Sequence, residues 1–137
     1  MVFGISCDFS WESKVGEFLD ITNSRDNSIR DFFQDKNYGE KPNEIFLVLV
    51  CHKPELNYKQ RKRFSKKENT FYLDIMLNFN QMVKSEKIKR CELIAKKIIK
   101  EVPFNLEKYK FSKFELLKFK KDLKEYFIEC KTIKNVA

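Results

Sequence analysis

Glycine and proline are scarce, with three of each in 137 residues. That scarcity excludes a long flexible linker and leaves little material for a glycine loop that cradles phosphate. No G-x-x-x-x-G-K-[ST], G-x-G-x-x-G or G-x-S-x-G stretch occurs. There is one histidine, His52, and the cysteines Cys7, Cys51, Cys91 and Cys130 form no C-x-x-C pair, a poor basis for a zinc site. No apolar run approaches the roughly 18 residues of a membrane span. No basic-then-apolar leader opens the chain, so the thiols are expected reduced and buried, as in a cytosolic protein.

What is present favours a filled core. Hydrophobic residues make up 42% and aromatic residues 15%, with 14 phenylalanines. One domain over residues 1–137 is expected, large enough to bury a core without staples. Lys and Arg total 28 against 20 acidic residues, a net charge of +8. Such an excess attracts acidic partners: nucleic acid, an anionic surface or an acidic protein. The excess is mostly lysine, whereas bidentate contacts to phosphates and bases favour arginine. An AT-rich genome would give the same lysine bias.

Val2–Phe9 alternates, with Phe3, Ile5, Cys7 and Phe9 on one side, the mark of a half-buried strand. Residues 11–41 are mixed. Val15, Phe18 and Leu19 suggest one short helix, and Ile29, Phe32 and Phe33 suggest another, capped by Asn27 or Ser28. Asn37–Pro42 reads as a turn. Ile45–Cys51 is a continuous apolar run, expected as a central strand covered on both faces. Tyr58–Phe64 reads as extended and basic, and a turn over Ser65–Asn69 leads to a strand over Thr70–Leu77. There Phe71, Leu73, Ile75 and Leu77 point inward, and Tyr72, Asp74 and Met76 outward.

The last third reads as helical. Ser85 is placed as the cap of a helix running to Val102, closed by Pro103. Ser112 and Glu115 suggest a capping box for a final helix bearing Leu116, Phe119, Leu123, Tyr126, Phe127 and Cys130, with a loose tail from Lys131. Strands first and long helices last predict an α+β fold: a mostly antiparallel sheet of about four strands, with two C-terminal helices packed on one face.

Candidate chemistry is thin. His52 sits where a buried strand meets a turn and is read as structural. Asp8 and Asp74 both point away from the helices. On adjacent strands they would form a carboxylate pair fit for acid–base or metal work; otherwise they are solvated or paired with nearby cations. Lys59, Arg61, Lys62, Arg63, Lys66 and Lys67 form the densest charge cluster, either a phosphate-binding hairpin or an edge strand guarded by lysines.

The segment Lys62-Arg63-Phe64-Ser65-Lys66-Lys67-Glu68-Asn69-Thr70-Phe71-Tyr72-Leu73-Asp74-Ile75-Met76-Leu77 resembles the bacterial polymorphic-toxin immunity proteins, in particular immunity protein family forty-four. The first strand, the Ile99–Pro103 segment and the Tyr109-Lys110-Phe111 link agree with that resemblance. It implies a cytoplasmic protein with no cofactor and no enzymatic reaction, encoded beside a toxin delivered by contact-dependent growth inhibition or a related route. The implied partner is the toxin's C-terminal domain, commonly a nuclease, whose active site or substrate surface is covered. On the sequence alone, the expected partner-binding residues are Asp8, Tyr72 and Asp74 on the sheet, the basic Lys59, Arg61, Arg63, Lys66 and Lys67, and Trp11 as an anchor. A basic nucleic-acid-binding module is the alternative, and a small metal-dependent hydrolase on Asp8 and Asp74 the third reading.

Overall fold

The computed structural model describes residues 1–9 and 29–136, with side chains up to residue 128 apart from that of Phe9. The expected anchor Trp11, the expected helix at Val15, Phe18 and Leu19, and the cap at Asn27 or Ser28 lie outside the described residues, as does the Cys130 side chain.

The strands form where alternation or an apolar run was longest. Strand β1 is Val2–Phe9, β2 is Glu44–Cys51, β3 is Lys62–Ser65 and β4 is Thr70–Met76. Helical segments follow the three- and four-residue spacing: α1 over 29–34, α2 at Phe79–Lys84, α3 at Lys87–Tyr109 and α4 at Leu116–Val136.

The sheet order is β1-β2-β4-β3. β1 runs parallel to β2 and β2 parallel to β4, and only β3 is antiparallel, to β4. The expectation of a mostly antiparallel sheet is therefore corrected to a mixed, mainly parallel one. The long passage that contains α1 lets β2 run in the same direction as β1. β3 then turns back at the edge, so that β4 enters beside β2. The continuous apolar run of β2 fits this placement, because a central parallel strand is covered on both faces.

Register fixes two faces. Phe3, Ile45, Phe71 and Phe64 form one cross-strand row, and Ile5, Leu47 and Leu73 the next. Apart from the half-buried Phe64, which packs against them, these side chains join Ile94, Ile98, Val102, Leu106, Phe119 and Leu123 in one buried cluster. Phe3 stacks on Phe33 at 5.0 Å and on Phe119 at 6.1 Å, while Phe71 meets Tyr109 edge-on at 4.8 Å. Offset and edge-on ring pairs of this kind add about 0.5–1.5 kcal/mol each beyond burial.

Helix boundaries depart from the local signals in five places. α2 is capped by Asn78, whose Oδ1 accepts from the Gln81 N–H at 2.8 Å, and this short helix has no counterpart in the sequence reading. Ser85 ends α2 rather than opening α3, whose N-cap is Glu86. The chain passes through Pro103 to Tyr109 because Val102, Pro103, Asn105 and Leu106 are all buried. Burying that stripe outweighs the roughly 3 kcal/mol that an interior proline costs. α4 starts at Leu116 instead of at a Ser112 cap, with the Glu115 N–H donating to the Tyr38 carbonyl at 2.7 Å. Its backbone stays helical through the expected loose tail to Val136, a stretch with no glycine or proline to stop it.

Two buried polar devices tie elements together. Arg90 on α3 is 3% exposed, and its Nε donates to the Met82 carbonyl at 2.7 Å. Its Nη2 reaches the Val83 carbonyl at 3.3 Å, so a cation satisfies the open carbonyl end of α2. Tyr38 donates its hydroxyl to Asp122 on α4 at 2.5 Å. Burial, reinforced by that carboxylate, raises the Tyr38 pKa far above the ordinary phenol range.

Candidate functional site on the exposed sheet face

The side of the sheet opposite the core carries Ser6 and Asp8 on β1, Phe46, Val48 and Val50 on β2, Tyr72, Asp74 and Met76 on β4, and Arg63 on β3. A concavity of about 410 Å³ opens there, lined by Ser6, Cys7, Asp8, Phe46, Val48, Arg61, Arg63, Tyr72, Leu73 and Asp74. The lining mixes the apolar Phe46, Val48 and Leu73 with the acids Asp8 and Asp74 and the guanidinium groups of Arg61 and Arg63.

Asp74 organises the cationic part of this lining. It is buried at 1% exposure, and one oxygen, Oδ2, accepts from the Arg61 backbone N–H at 2.8 Å, the Arg61 Nε at 3.1 Å and the Tyr58 hydroxyl at 2.9 Å. The Asp74 N–H donates to the Arg61 carbonyl at 2.9 Å, and Gln60 Nε2 donates to the Asp74 carbonyl at 2.7 Å. The carboxylate therefore closes a loop in which residues 58–61 are laced to β4 ahead of β3. Hydrogen bonding to Asp74 holds the Arg61 guanidinium more firmly protonated than usual. Burial and the same carboxylate raise the Tyr58 phenol above its ordinary value.

The neighbouring row is aromatic. Phe46, Tyr72 and Arg63 are in register across three strands. The Phe46 and Tyr72 rings meet edge-on at 6.0 Å, and Arg63 Cζ lies 4.4 Å over the Tyr72 ring, a cation–π contact. The Tyr72 hydroxyl donates to Glu68, and that bond is the main reason its pKa is raised.

His52 Nε2 approaches Asp8 Oδ1 to 3.1 Å, close enough for an ion pair when the ring is protonated but not aligned as a hydrogen bond. Tyr58 meets the His52 ring edge-on at 5.0 Å. The carboxylate pair envisaged for Asp8 and Asp74 does not form, because β2 lies between their strands. Asp8 is instead level with Val50, and Asp74 with Val48. Asp74 is also no solvated residue; it is the buried partner of Arg61, whose side chain is 56% exposed.

Of the residues expected to bind a partner, Asp8, Arg61, Arg63, Tyr72 and Asp74 line one concavity. Lys66 and Lys67 lie in the β3–β4 turn, and Lys59 lies outside the lining. Phe46 and Tyr58 were not among the residues expected to bind a partner, and His52 was read as structural. Phe46 was hidden inside an apolar run, and the other two acquire their places only from the parallel register and the return of residues 58–61 along β4.

Among the described residues no group of three or more His, Cys, Asp or Glu could hold a metal ion, and no helix is long and apolar enough to cross a membrane. The concavity thus combines a buried carboxylate bound to Arg61, a second guanidinium over Tyr72 and an aromatic row. The sequence model for immunity protein 44 matches residues 1–129, and the chain belongs to that family. Immunity proteins neutralise toxins, so membership points to a toxin-neutralising role with a cognate toxin protein as partner. No curated protein and no solved structure matches the chain.

Proposed function

We propose that this chain is a cytoplasmic immunity protein that binds the C-terminal toxin domain of a polymorphic toxin and neutralises it by covering its active site or substrate surface. A nuclease delivered by contact-dependent growth inhibition is the toxin class that the proposal names. Family membership across residues 1–129 is the observation that carries the reading. The exposed sheet face is the proposed contact, with Asp8, Arg61, Arg63, Tyr72 and Asp74 beside the apolar Phe46 and Val48. The net charge of +8 sets the expectation for the partner: an acidic surface drawn in by steering, then held by a desolvated centre.

The test uses the domain encoded at the end of the reading frame immediately upstream. Co-expression of this chain should restore growth to cells making that domain, and the purified pair should form a stable complex with loss of the domain's activity. No complex and no protection would reject the proposal. In that case a gel shift with duplex DNA and RNA at two salt concentrations would test the nucleic-acid reading, which requires affinity to fall steeply with salt.

A further inference from the structure

We infer that Arg61 and Arg63 form a two-pronged clamp for a single carboxylate on the toxin domain, and that Asp74 is the buried positioning residue that aims it; this rests on the proposed toxin-binding role. The two arginines are separated by one residue, so their side chains leave the same face about 7 Å apart. Arg61 spends its Nε and backbone N–H on Asp74 Oδ2. The Arg61 side chain also interacts with Tyr58 and is 56% exposed, and no hydrogen bond to Asp74 uses its two Nη groups. These are the ends of the fork that matches a carboxylate bidentately. Arg63 is exposed, with its guanidinium carbon over the Tyr72 ring, and Tyr72 is itself tied to Glu68.

Both arginines are therefore held before a partner arrives. That removes much of the side-chain ordering that binding otherwise costs.

Charge selects the ligand. Asp74 already offsets one of the two cations, so the clamp presents about one net positive charge to an incoming group. Asp8 lines the same concavity and Glu68 stands beside Tyr72. A chain of phosphates laid along this face would meet those acids, whereas one Asp or Glu side chain entering from above would not. The ligand is thus a protein carboxylate whose neighbours are apolar enough to rest on Phe46 and Val48.

The experiment measures binding of the upstream-encoded toxin domain, rendered inactive, by calorimetry against Arg61→Glu, Arg63→Glu, Asp74→Asn and Lys100→Glu. Lys100 is exposed on α3 and serves to control for the same change in net charge. The clamp predicts that Arg61→Glu and Arg63→Glu each weaken binding at least tenfold while Lys100→Glu changes it less than threefold. Asp74→Asn should weaken binding about fivefold in the native background and leave an Arg61→Ala protein unchanged, the non-additivity expected of a residue acting through another. Thermal unfolding of each variant confirms that it is folded. Charge reversals that bind like the native chain, to a toxin domain the native chain holds tightly, would overturn the clamp and leave the immunity role standing. A native chain that does not bind the domain would overturn both. In a parallel gel shift with duplex DNA and RNA, reversals that lower nucleic-acid affinity alone would overturn the clamp in favour of a phosphate site.

Discussion

Replacing Asp74 with alanine removes the acceptor of three donors at once: the Tyr58 hydroxyl, the Arg61 backbone N–H and the Arg61 Nε. All three bonds end on a carboxylate and are charge-assisted, and at about 1.5–2 kcal/mol each they give a gross loss of about 5 kcal/mol. Part of this returns. The Arg61 side chain is 56% exposed and can be rehydrated, and a desolvated carboxylate no longer has to be buried. The net expectation is a loss of about 2–3 kcal/mol. In a domain of this size that corresponds to a drop in Tm of roughly 6–12 °C. Urea unfolding followed by far-ultraviolet circular dichroism measures it directly, with the slope checked for unchanged two-state behaviour. Arg61→Ala should also destabilise, since it leaves the carboxylate without its cation. The double variant should cost clearly less than the sum of the two single variants, because both act on one network. A Tm for Asp74→Ala within about 1 °C of the native chain would refute the claim that this carboxylate pins residues 58–61 to β4.

Three further outcomes follow from other parts of the structure. Gly39 has φ +123°, and a Cβ there would lie 1.9 Å from the Lys113 carbonyl oxygen, so Gly39→Ala should cost more than about 2 kcal/mol in urea unfolding. Tyr38 and Tyr58 have phenol pKa values raised by folding, so they contribute fully below the ordinary value of about 10 and lose that contribution as pH climbs through the folded value. Stability should hold from neutral pH to about 9.5 and then fall, and Tyr38→Phe should flatten the alkaline fall in a Tm-against-pH series; an unchanged slope would contradict the assignment. Burial pushes the Cys51 thiol up to about 12, although Arg90 pulls the other way, while Cys7 is only half-buried. A thiol reagent at pH 8 should therefore modify Cys7 well before Cys51 in the native chain, as mass spectrometry of the labelled peptides would show.

The strands were legible because their signals are local. Phe3 and Ile5 against Gly4 and Ser6, and Phe71, Leu73 and Ile75 against Tyr72 and Asp74, mark a pleat with one apolar side wherever the strand ends up. Strand direction is not local. It follows from where the passage before β2 delivers the chain, and nothing in the spacing of Ile45–Cys51 encodes that delivery. The apolar continuity of that run did favour a covered parallel strand, but the order of elements pointed the other way. Pro103 misled for a related reason. Its cost is read from one residue, whereas the burial of Val102 and Leu106 that offsets it depends on the packed sheet. Half of the candidate site was visible as outward-facing or basic residues. The connection between them was not, since the contacts of Asp74 with Tyr58 and of Asp8 with His52 exist only once the register is set.

Tyr109, at the end of α3, donates its hydroxyl to the Lys62 carbonyl at 2.8 Å, on the outward side of β3. β3 has four residues, so this one bond occupies a large share of the main-chain groups it could offer to a newcomer. A visitor is thereby discouraged from lengthening the sheet through amide-to-carbonyl pairing, a mode of adhesion nearly blind to sequence. Discrimination between related visitors then falls to side chains, whose shape and charge differ from one visitor to the next.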